Sequence, residues 1–333
     1  MRYYSYSEKL KEKYGEKVYK IPVDIGATCP NRDGKISYGG CIFCSPQGAG
    51  FESLCSKISP SEQLEKNISY IGQKYKAKKF IAYLQNYTNT YMEPEKLRNI
   101  LKELIRDDIV EIAISTRPDC IDKDILDAID SIKKEYGVNI TIELGLQSIK
   151  DSTLLKINRG HTVEDFYKSV SEIQKYHFEI CVHIILNLPW DNDEDLVYCA
   201  KELSRIGVNN VKIHSLYIVK NTRLSEMFEN GEISLISKDE YINRLGLFIG
   251  NLSPKICVER FFARAPEEET LFCNFGHSWR KLKNDFDDYI EKNNIYQGKD
   301  IKNENRNYRG DDLGNRKDKK FYQSFRNCYN CKI

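Results

Sequence analysis

The chain has 333 residues, with 51 basic and 49 acidic side chains, a formal net charge of +2 and 41% hydrophobic residues. This length is enough to bury one large core or two ordinary ones. The balanced charge excludes a globally polybasic nucleic-acid coat and an acidic disordered chain. The first twenty residues lack the apolar core of a signal peptide, and no apolar run reaches the length of a membrane span. We therefore expect a soluble, cytoplasmic protein with no membrane partner.

Short segments rich in β-branched residues alternate with amphipathic segments between residues 18 and 216. The strand segments are 18–25, 79–85, 110–115, 139–144, 179–186 and 210–216. The helical segments, in which apolar residues recur every three or four positions, are 60–76, 93–107, 122–136, 163–176 and 192–206. This alternation predicts a parallel sheet with helices packed outside it.

The number of strand segments limits the topology. Six strand–helix units are too few for a closed eight-stranded barrel. We therefore expect an α/β fold built as a partial (β/α)6 TIM-type barrel, and an open doubly wound sheet is the competing topology. In either fold, ligands bind where the carboxyl ends of the strands meet.

The pattern divides the chain into four parts. An N-terminal segment at 1–17 precedes a core at 18–235, and a helical cap follows at 236–298. The basic tail at 299–333 carries ten Lys or Arg residues against five acidic ones, interleaved with aromatic residues. Such a composition can bind an RNA backbone and stack on exposed bases, whereas a solvated charged tail is the alternative.

Three of the eleven cysteines lie on one glycine-rich loop, at 28–45, directly after the first predicted strand. Cys29, Cys41 and Cys44 have the spacing Cys-x11-Cys-x2-Cys. An odd number of cysteines in a cytosolic chain does not indicate a disulfide framework. Three thiolates fit either zinc with a fourth ligand elsewhere or a [4Fe-4S] cluster with one open iron. Spacing alone does not decide between these two sites.

Several further motifs occur in a fixed order along the chain. They are TCPNRDG (28–34), GGCIFC (39–44), YLQNYTNTY (83–91), STRPDC (115–120), ELGLQS (143–148), NRGH (158–161), HIILNLP (183–189), KIHSLYIVKNT (212–222) and NNIYQGKD (293–300). Together they make the chain resemble radical SAM enzymes, specifically the YhcC-like bacterial branch related to the radical SAM core of the Elongator catalytic subunit. The resemblance covers roughly residues 5–298 and is far more specific than the cysteines alone.

The resemblance implies a mechanism. The three cysteines would hold a [4Fe-4S] cluster, and S-adenosyl-L-methionine (SAM) would chelate the fourth iron through its amino and carboxylate groups. One electron, from a donor such as flavodoxin or ferredoxin, would split the sulfonium bond and give a 5′-deoxyadenosyl radical that abstracts hydrogen from a substrate. The protein would supply positioning and water exclusion. The substrate is not named by the sequence, although Elongator-like relatives act on tRNA.

The same resemblance implies a set of cofactor-binding residues at the strand ends. Phe43 would pack near the adenine, and polar groups after the second strand would hold the methionyl amine in place of an absent Gly-Gly-Glu motif. The full set is Phe43, Gln85, Asn86, Thr88, Ser115, Arg117, Glu143, Gln147, Arg159 and Asn187. In a sheet buried on both faces Glu143 needs a partner, and Arg159 would pair with Glu143 or with the methionine carboxylate.

The segment 18–235 also contains three notable histidines and one departure from the family pattern. His183 and His214 lie within strand segments and are interpreted as internal hydrogen-bonding residues, whereas His161 is better placed at an active-site mouth. Asn187 stands where relatives usually carry glycine, so its side chain would add bulk beside the expected adenine pocket. No residue is identified as the general base.

A second metal site is predicted near the C-terminus. Cys273 and His277 form a Cys-x3-His pair on a predicted helix, one turn apart, and Cys328 and Cys331 form a Cys-x2-Cys pair. These four residues could bind zinc or, with Cys257, an auxiliary cluster. A frayed tail with reactive thiols is the alternative.

Two other classes of protein compete with the radical enzyme. One is a zinc-stabilised RNA-binding protein without catalysis, which would use the same cysteines and the basic tail. The other is a Rossmann-like cofactor binder, which is disfavoured because no Gly-x-Gly-x-x-Gly follows a predicted strand. The oligomeric state is left open.

Overall fold

The computed structural model describes residues 2–45 and 53–301. Its strands are β1 Val18–Val23, β2 Lys79–Leu84, β3 Ile109–Thr116, β4 Asn139–Gln147, β5 Glu179–Ile185, β6 Asn210–His214, β7 Ile218–Val219, β8 Cys257–Arg260 and β9 Thr270–Phe272. Its helices are α1 Tyr6–Tyr14, α2 Pro60–Tyr75, α3 Pro94–Lys102, α4 Lys123–Tyr136, α5 Asp151–Lys156, α6 Val163–Gln174, α7 Asp193–Ile206, α8 Arg223–Glu229, α9 Lys238–Asn251 and α10 Trp279–Lys292.

Seven parallel strands form one curved half-barrel sheet, in the order β1-β2-β3-β4-β5-β6-β8. The strand order never reverses, so the doubly wound alternative is wrong and the partial TIM-type barrel is confirmed. β7 and β9 form a separate antiparallel pair. The predicted domain boundaries stay predictions.

The seventh strand corrects the sequence analysis, which counted six strands and placed residues 255–260 in the cap. β8 pairs in parallel with β6 instead. It has four residues and its inner face is polar, so neither its length nor its hydrophobicity marked it as a sheet strand. The sheet therefore extends beyond the predicted core.

Alternation along the strands gives the sheet an apolar outer face and a polar inner face. Outward side chains such as Ile112, Ile142 and Val211 join one large core with the surrounding helices. Inward positions carry charged groups instead, including Glu143 and Lys212, both buried. Because successive strand residues point to opposite faces, each strand serves the core and the barrel interior at once.

Helix α1 closes the amino-terminal end of the barrel. Lys9 donates to Glu179 and to Asn210, each at 2.6 Å, from Nζ to the side-chain oxygens. Glu179 and Asn210 are the first residues of β5 and β6, so these bonds tie α1 to the strand starts. Leu10 of the same helix packs into an apolar cluster that includes Ile81 from β2. We call α1, with these contacts, the plug.

The segment before α1 covers the edge of the sheet. The Val258 amide on β8 donates to the Tyr4 carbonyl at 2.9 Å, and Ser5 forms a parallel bridge with Val258. This pairing satisfies backbone groups that an open sheet edge would expose. Among the described residues, no helix is long and apolar enough to cross a bilayer.

Replacing Leu10 with alanine tests the plug. The side chain is 5% exposed, so Leu10→Ala should lower the free energy of unfolding by about 2–4 kcal/mol through lost burial and a residual cavity. The measurement is the denaturant midpoint by circular dichroism. The matched control is Leu155→Ala, because Leu155 is 81% exposed and its loss should cost less than about 0.5 kcal/mol. Equal effects of the two variants would contradict a packed plug.

Candidate functional site

The cysteine loop follows β1 and is fixed by backbone hydrogen bonds at both ends. The Arg32 amide donates to the Cys29 carbonyl at 2.8 Å, and the Cys44 amide donates to the Cys41 carbonyl at 2.9 Å. Between them, Gly34 has φ +95°, and a Cβ there would lie 2.6 Å from the Tyr38 ring. Only glycine fits this turn without a clash.

The loop after α5 packs directly against the cysteine loop. The Asn158 side-chain amide donates to the Gly40 carbonyl at 2.8 Å, and the Ile42 amide donates to the Ile157 carbonyl at 3.1 Å. Gly160 has φ +78°, and a Cβ there would lie 2.6 Å from the Asn31 side-chain oxygen. These contacts bring the sequence motif at 158–161 against the cysteines.

The three thiols line one cavity of about 180 Å³ at the carboxyl end of the sheet. Three thiols that face one cavity could hold a cluster in which each cysteine binds a different iron, or zinc with a fourth ligand.

Hydrogen-bond donors converge on the Cys41 sulfur. The Asn31 side-chain amide lies 3.7 Å from Sγ, and Nη1 of Arg159 lies 3.6 Å from it. Burial, followed by the neighbouring Cys41, raises the pKa of the Cys44 thiol to about 12. A bound cation would be needed to keep that sulfur as a thiolate at neutral pH. The donor set therefore suits a metal centre.

Arg117 stands beside this centre with a fixed orientation. Its Nε and Nη2 donate to the two carboxylate oxygens of Asp119 at 2.9 and 2.8 Å. The guanidinium is buried, and Nη1 has no hydrogen-bond partner within the described ranges. One donor thus remains available at the cavity wall.

Most of the residues predicted to bind the cofactor share this cavity. The wall includes Phe43, Gln85, Thr88, Ser115, Arg117, Glu143, Gln147 and Arg159. They come from five loops and strand ends far apart in the sequence, and the parallel sheet brings these ends together. Their individual roles toward SAM stay predictions.

Asn86 and Asn187 lie off the cavity wall. The Asn86 side-chain amide donates to Asp24 Oδ2 at 2.7 Å, because Gln85 points inward and the next residue points away. The Asn187 side-chain oxygen accepts from the Leu216 amide at 2.6 Å and supports the turn after β6. Their predicted cofactor contacts stay predictions.

Comparisons with known proteins agree with this geometry. The Radical SAM superfamily model matches residues 25–203, and the Radical_SAM C-terminal domain model matches residues 208–292. The chain belongs to the radical SAM superfamily. Protein MJ0486 of Methanocaldococcus jannaschii is 36% identical over 298 residues, which are 88% of this chain and 90% of that protein. Protein YhcC of Escherichia coli K12 is 32% identical over 257 residues, 77% of this chain and 82% of that protein.

A solved structure supports the fold of this radical SAM protein. The archaeal Methanocaldococcus infernus Elp3, with its N-terminus deleted, superposes with a TM-score of 0.63 at 19% identity. The alignment covers 84% of this chain and 64% of that chain. The family models, the YhcC relative and this structure together confirm the resemblance to YhcC-like proteins and to the Elongator-type radical SAM core. The likeness to the solved structure shows a shared fold.

A buried charge network forms the floor of the cavity in this radical SAM protein. Lys20 donates to Glu143 Oε1 at 2.5 Å and to Glu259 Oε2 at 2.7 Å, which links β1, β4 and β8 across the interior. Lys212 donates to Glu143 Oε2 at 3.0 Å and to the Tyr83 hydroxyl at 2.9 Å. Two lysines and two glutamates therefore balance one another inside the barrel, and we call them the quartet.

The quartet sets the protonation of its neighbours. Burial alone would raise the pKa of Glu143, but Lys20 and Lys212 outweigh burial and hold that pKa well below its usual range. Burial and the charge of Lys212 lower the pKa of His183, so its imidazole is neutral near pH 7 and contacts Glu143 at 2.7 Å. Of the two partners predicted for Arg159, Glu143 is wrong, because the quartet already surrounds it.

Sequence reasoning missed Lys20, Lys212 and Glu259. The sequence does contain a signal for them, because a charged residue within an apolar strand needs a buried partner of opposite charge. Asn31 was also missed, although it lies two residues after Cys29. Nothing in the local sequence shows that its amide reaches the Cys41 sulfur.

The predicted C-terminal metal site is partly described. Cys273 and His277 were expected on one face of a helix, and this expectation is wrong. Both have extended backbone conformations and flank a short 3₁₀ turn at Asn274–Gly276, whereas α10 begins two residues beyond His277. Cys328 and Cys331 lie outside the described residues. Zinc or an auxiliary cluster at these positions stays a prediction.

Glu143→Gln tests the quartet. Removing this carboxylate leaves two buried lysines unbalanced, so the free energy of unfolding should fall by about 3–5 kcal/mol at pH 7. Because folding lowers the pKa of Glu143, its stabilisation is present above the unfolded pKa near ~4.3 and is lost as pH falls below it. Urea unfolding at pH 7 and pH ~4 should therefore show a smaller difference at the lower pH.

The control for this variant is Glu62→Gln. Glu62 pairs with Lys66 on the exposed face of α2, so its loss should cost less than about 1 kcal/mol. If Glu143→Gln were no more destabilised than Glu62→Gln, the quartet would not hold the barrel together.

Asn31→Ala tests the donors at Cys41. Hydrogen bonds to a ligating sulfur stabilise the reduced cluster, so removing one should lower the reduction potential of the reconstituted protein. The measurement is a redox titration followed by electron paramagnetic resonance. Asn67→Ala is the control, because the Asn67 amide donates to the Pro22 carbonyl on β1 and not to a cysteine. An unchanged potential in Asn31→Ala would show that this contact is absent.

Proposed function

We propose that this chain is a radical SAM enzyme that binds a [4Fe-4S] cluster through Cys29, Cys41 and Cys44 and cleaves SAM reductively. The observation that carries the proposal is the position of these three cysteines on the wall of one cavity formed at the strand ends. Membership of the superfamily supports the same assignment.

When bound, the cluster would supply the electron for the reductive cleavage of SAM. The chain's own residues prepare the site for it. Asn31 and Arg159 donate toward the Cys41 sulfur. Below, α1 and the quartet fill the barrel at the amino-terminal end of the strands, which is proposed to limit the entry of water there.

The cavity wall suggests how SAM is oriented. No Gly-Gly-Glu motif follows β2, so the oxygens of Gln85 and Thr88 are proposed to accept from the methionyl amine. Arg159 is proposed to pair with the methionine carboxylate, because its guanidinium has no carboxylate partner among the described residues. Phe43, between two cysteines, is proposed to pack on the adenine.

The reaction beyond SAM cleavage is open. An RNA substrate, tRNA above all, remains a prediction from the basic tail, which lies outside the described residues apart from its first three positions. A flavodoxin or ferredoxin remains the predicted electron donor. Zinc binding without catalysis remains the alternative function, and metal content separates it from the proposed one.

Cys41→Ala tests the assignment. Anaerobically reconstituted wild-type protein should contain about four irons and release 5′-deoxyadenosine when supplied with SAM and dithionite. Cys41→Ala should lose both iron and product, because one ligand of the cluster is gone. Iron analysis and mass spectrometry of the product are the measurements.

The matched control is Cys55→Ala, since Cys55 is an exposed cysteine that does not line the cavity. It should retain the iron and the product of the wild type. About one zinc and no iron in the anaerobically purified wild type would support the RNA-binding alternative instead.

A further inference from the structure

The cavity wall carries far more positive than negative charge. Its cationic side chains are Arg32, Arg117, Arg159, Lys212, Arg260 and Arg264, whereas Glu143 is its acidic one. Several of these cations already have a function or a partner. Arg117 pairs with Asp119, Lys212 belongs to the neutral quartet, and Arg159 faces the Cys41 sulfur.

Arg260 differs from these cations. It is half-buried at the end of β8, and its guanidinium forms no hydrogen bond or ion pair with any residue in the ranges 2–45 and 53–301. Removing a cation from water without a partner costs free energy, and a bound anion would recover it. The side chain is therefore placed for a ligand and not for the fold.

A β-bulge directs Arg260 into the cavity. β6 and β8 pair Val211 with Val258, but Lys212 pairs with Arg260, so Glu259 is the extra residue. Without the bulge, strict alternation would place Arg260 on the outer face with Val258. With it, both Glu259 and Arg260 face the interior: Glu259 accepts from Lys20, and Arg260 lines the cavity.

Two neutral polar side chains accompany Arg260. Neither ring nitrogen of His214 has a hydrogen-bond partner among the residues that the structure describes, and the ring lies 5.2 Å from that of His183. Burial, His183 and Arg260 hold the pKa of His214 well below its usual range, so the imidazole is neutral. Tyr217 lines the same wall, and burial raises its pKa to about 12, so its hydroxyl remains a donor.

We infer that Arg260, His214 and Tyr217 form a subsite for an anionic group of the substrate, either a carboxylate or a phosphate monoester. The guanidinium supplies two parallel N–H donors that match the oxygens of either anion. The imidazole and the phenol each add one neutral donor. The inference rests on the proposed function, since it assigns the substrate class of that same cavity.

The shape of the subsite favours a small substrate with a terminal anion. Tyr83, Glu143 and Lys212 close the cavity floor. A phosphodiester has a substituent on each side of its phosphate, and both substituents would have to fit into this closed end. A carboxylate or a phosphate monoester is attached to the rest of its molecule on one side only. That remainder could then extend from the subsite toward the cysteines.

The test measures anion binding to the reconstituted holoenzyme with SAM bound. Inorganic phosphate and acetate are titrated separately by isothermal titration calorimetry, with chloride holding the ionic strength constant. Wild type should bind at least one of them, and Arg260→Gln should weaken that binding about tenfold or more through loss of a charge-assisted contact. Arg260→Lys should be intermediate, because it keeps the charge and loses the planar fork. The preferred probe identifies the carboxylate or the phosphate.

The matched control is Arg223→Gln, which removes the same charge from an exposed ion pair with Glu226 on α8. It should bind both probes as wild type does. Equal weakening in the control, or no weakening in Arg260→Gln, would overturn the subsite. The subsite would also be overturned if Arg260→Gln weakened SAM binding as much as anion binding, since Arg260 would then hold the methionine carboxylate.

Two further outcomes are informative. If a single-stranded RNA oligonucleotide bound through Arg260 and neither small anion did, the substrate class would be RNA. That result would overturn the inference. A wild type that holds no iron and does not bind SAM would contradict the proposed function instead. Anion binding is measured separately from iron content, so the two failures are distinguishable.

Discussion

The carboxylate of Glu143 is the point on which the barrel interior depends. It lies fully buried between Lys20 and Lys212, and through Lys20 it is linked to Glu259 on the last strand of the sheet. A half-barrel has no closing strand pair, so contacts across its interior must hold the curvature. The quartet supplies these contacts with no net charge, and it leaves the cavity above it lined by the remaining cations.

Much of the fold was predictable because the outer face of each strand is apolar at every second position. Runs of β-branched residues located β1 to β6, and apolar residues at every third or fourth position located helices packed on them. β8 was not predicted as a strand because two of its four residues, Glu259 and Arg260, are charged and half-buried. The bulge that turns both of them inward depends on pairing with β6, which is long-range information that no local pattern contains.

The candidate site shows the same division. Spacing identified Cys29, Cys41 and Cys44, but spacing alone fits zinc as well as a cluster, and the family match is what favours the cluster. Strand parity explains why Gln85 reaches the cavity and Asn86 does not, because a shift of one residue reverses the side-chain direction. The quartet lysines act on residues far away in sequence, so only the fold brings them to the site, and Asn31 reaches Cys41 only through the folded conformation of their shared loop.

The pairing of the first residues with the last strand has a consequence for the order of assembly. Tyr4 and Ser5 bond to Val258, so the N-terminal segment leaves the ribosome about 250 residues before its partner. Helix α1 also needs Glu179 and Asn210 from strands made much later. Such distant contacts close late, because loop-closure entropy opposes them until the sheet exists. The amino-terminal end of the barrel can therefore close only after β5, β6 and β8 have been synthesised, when α1 and the segment before it find their partners.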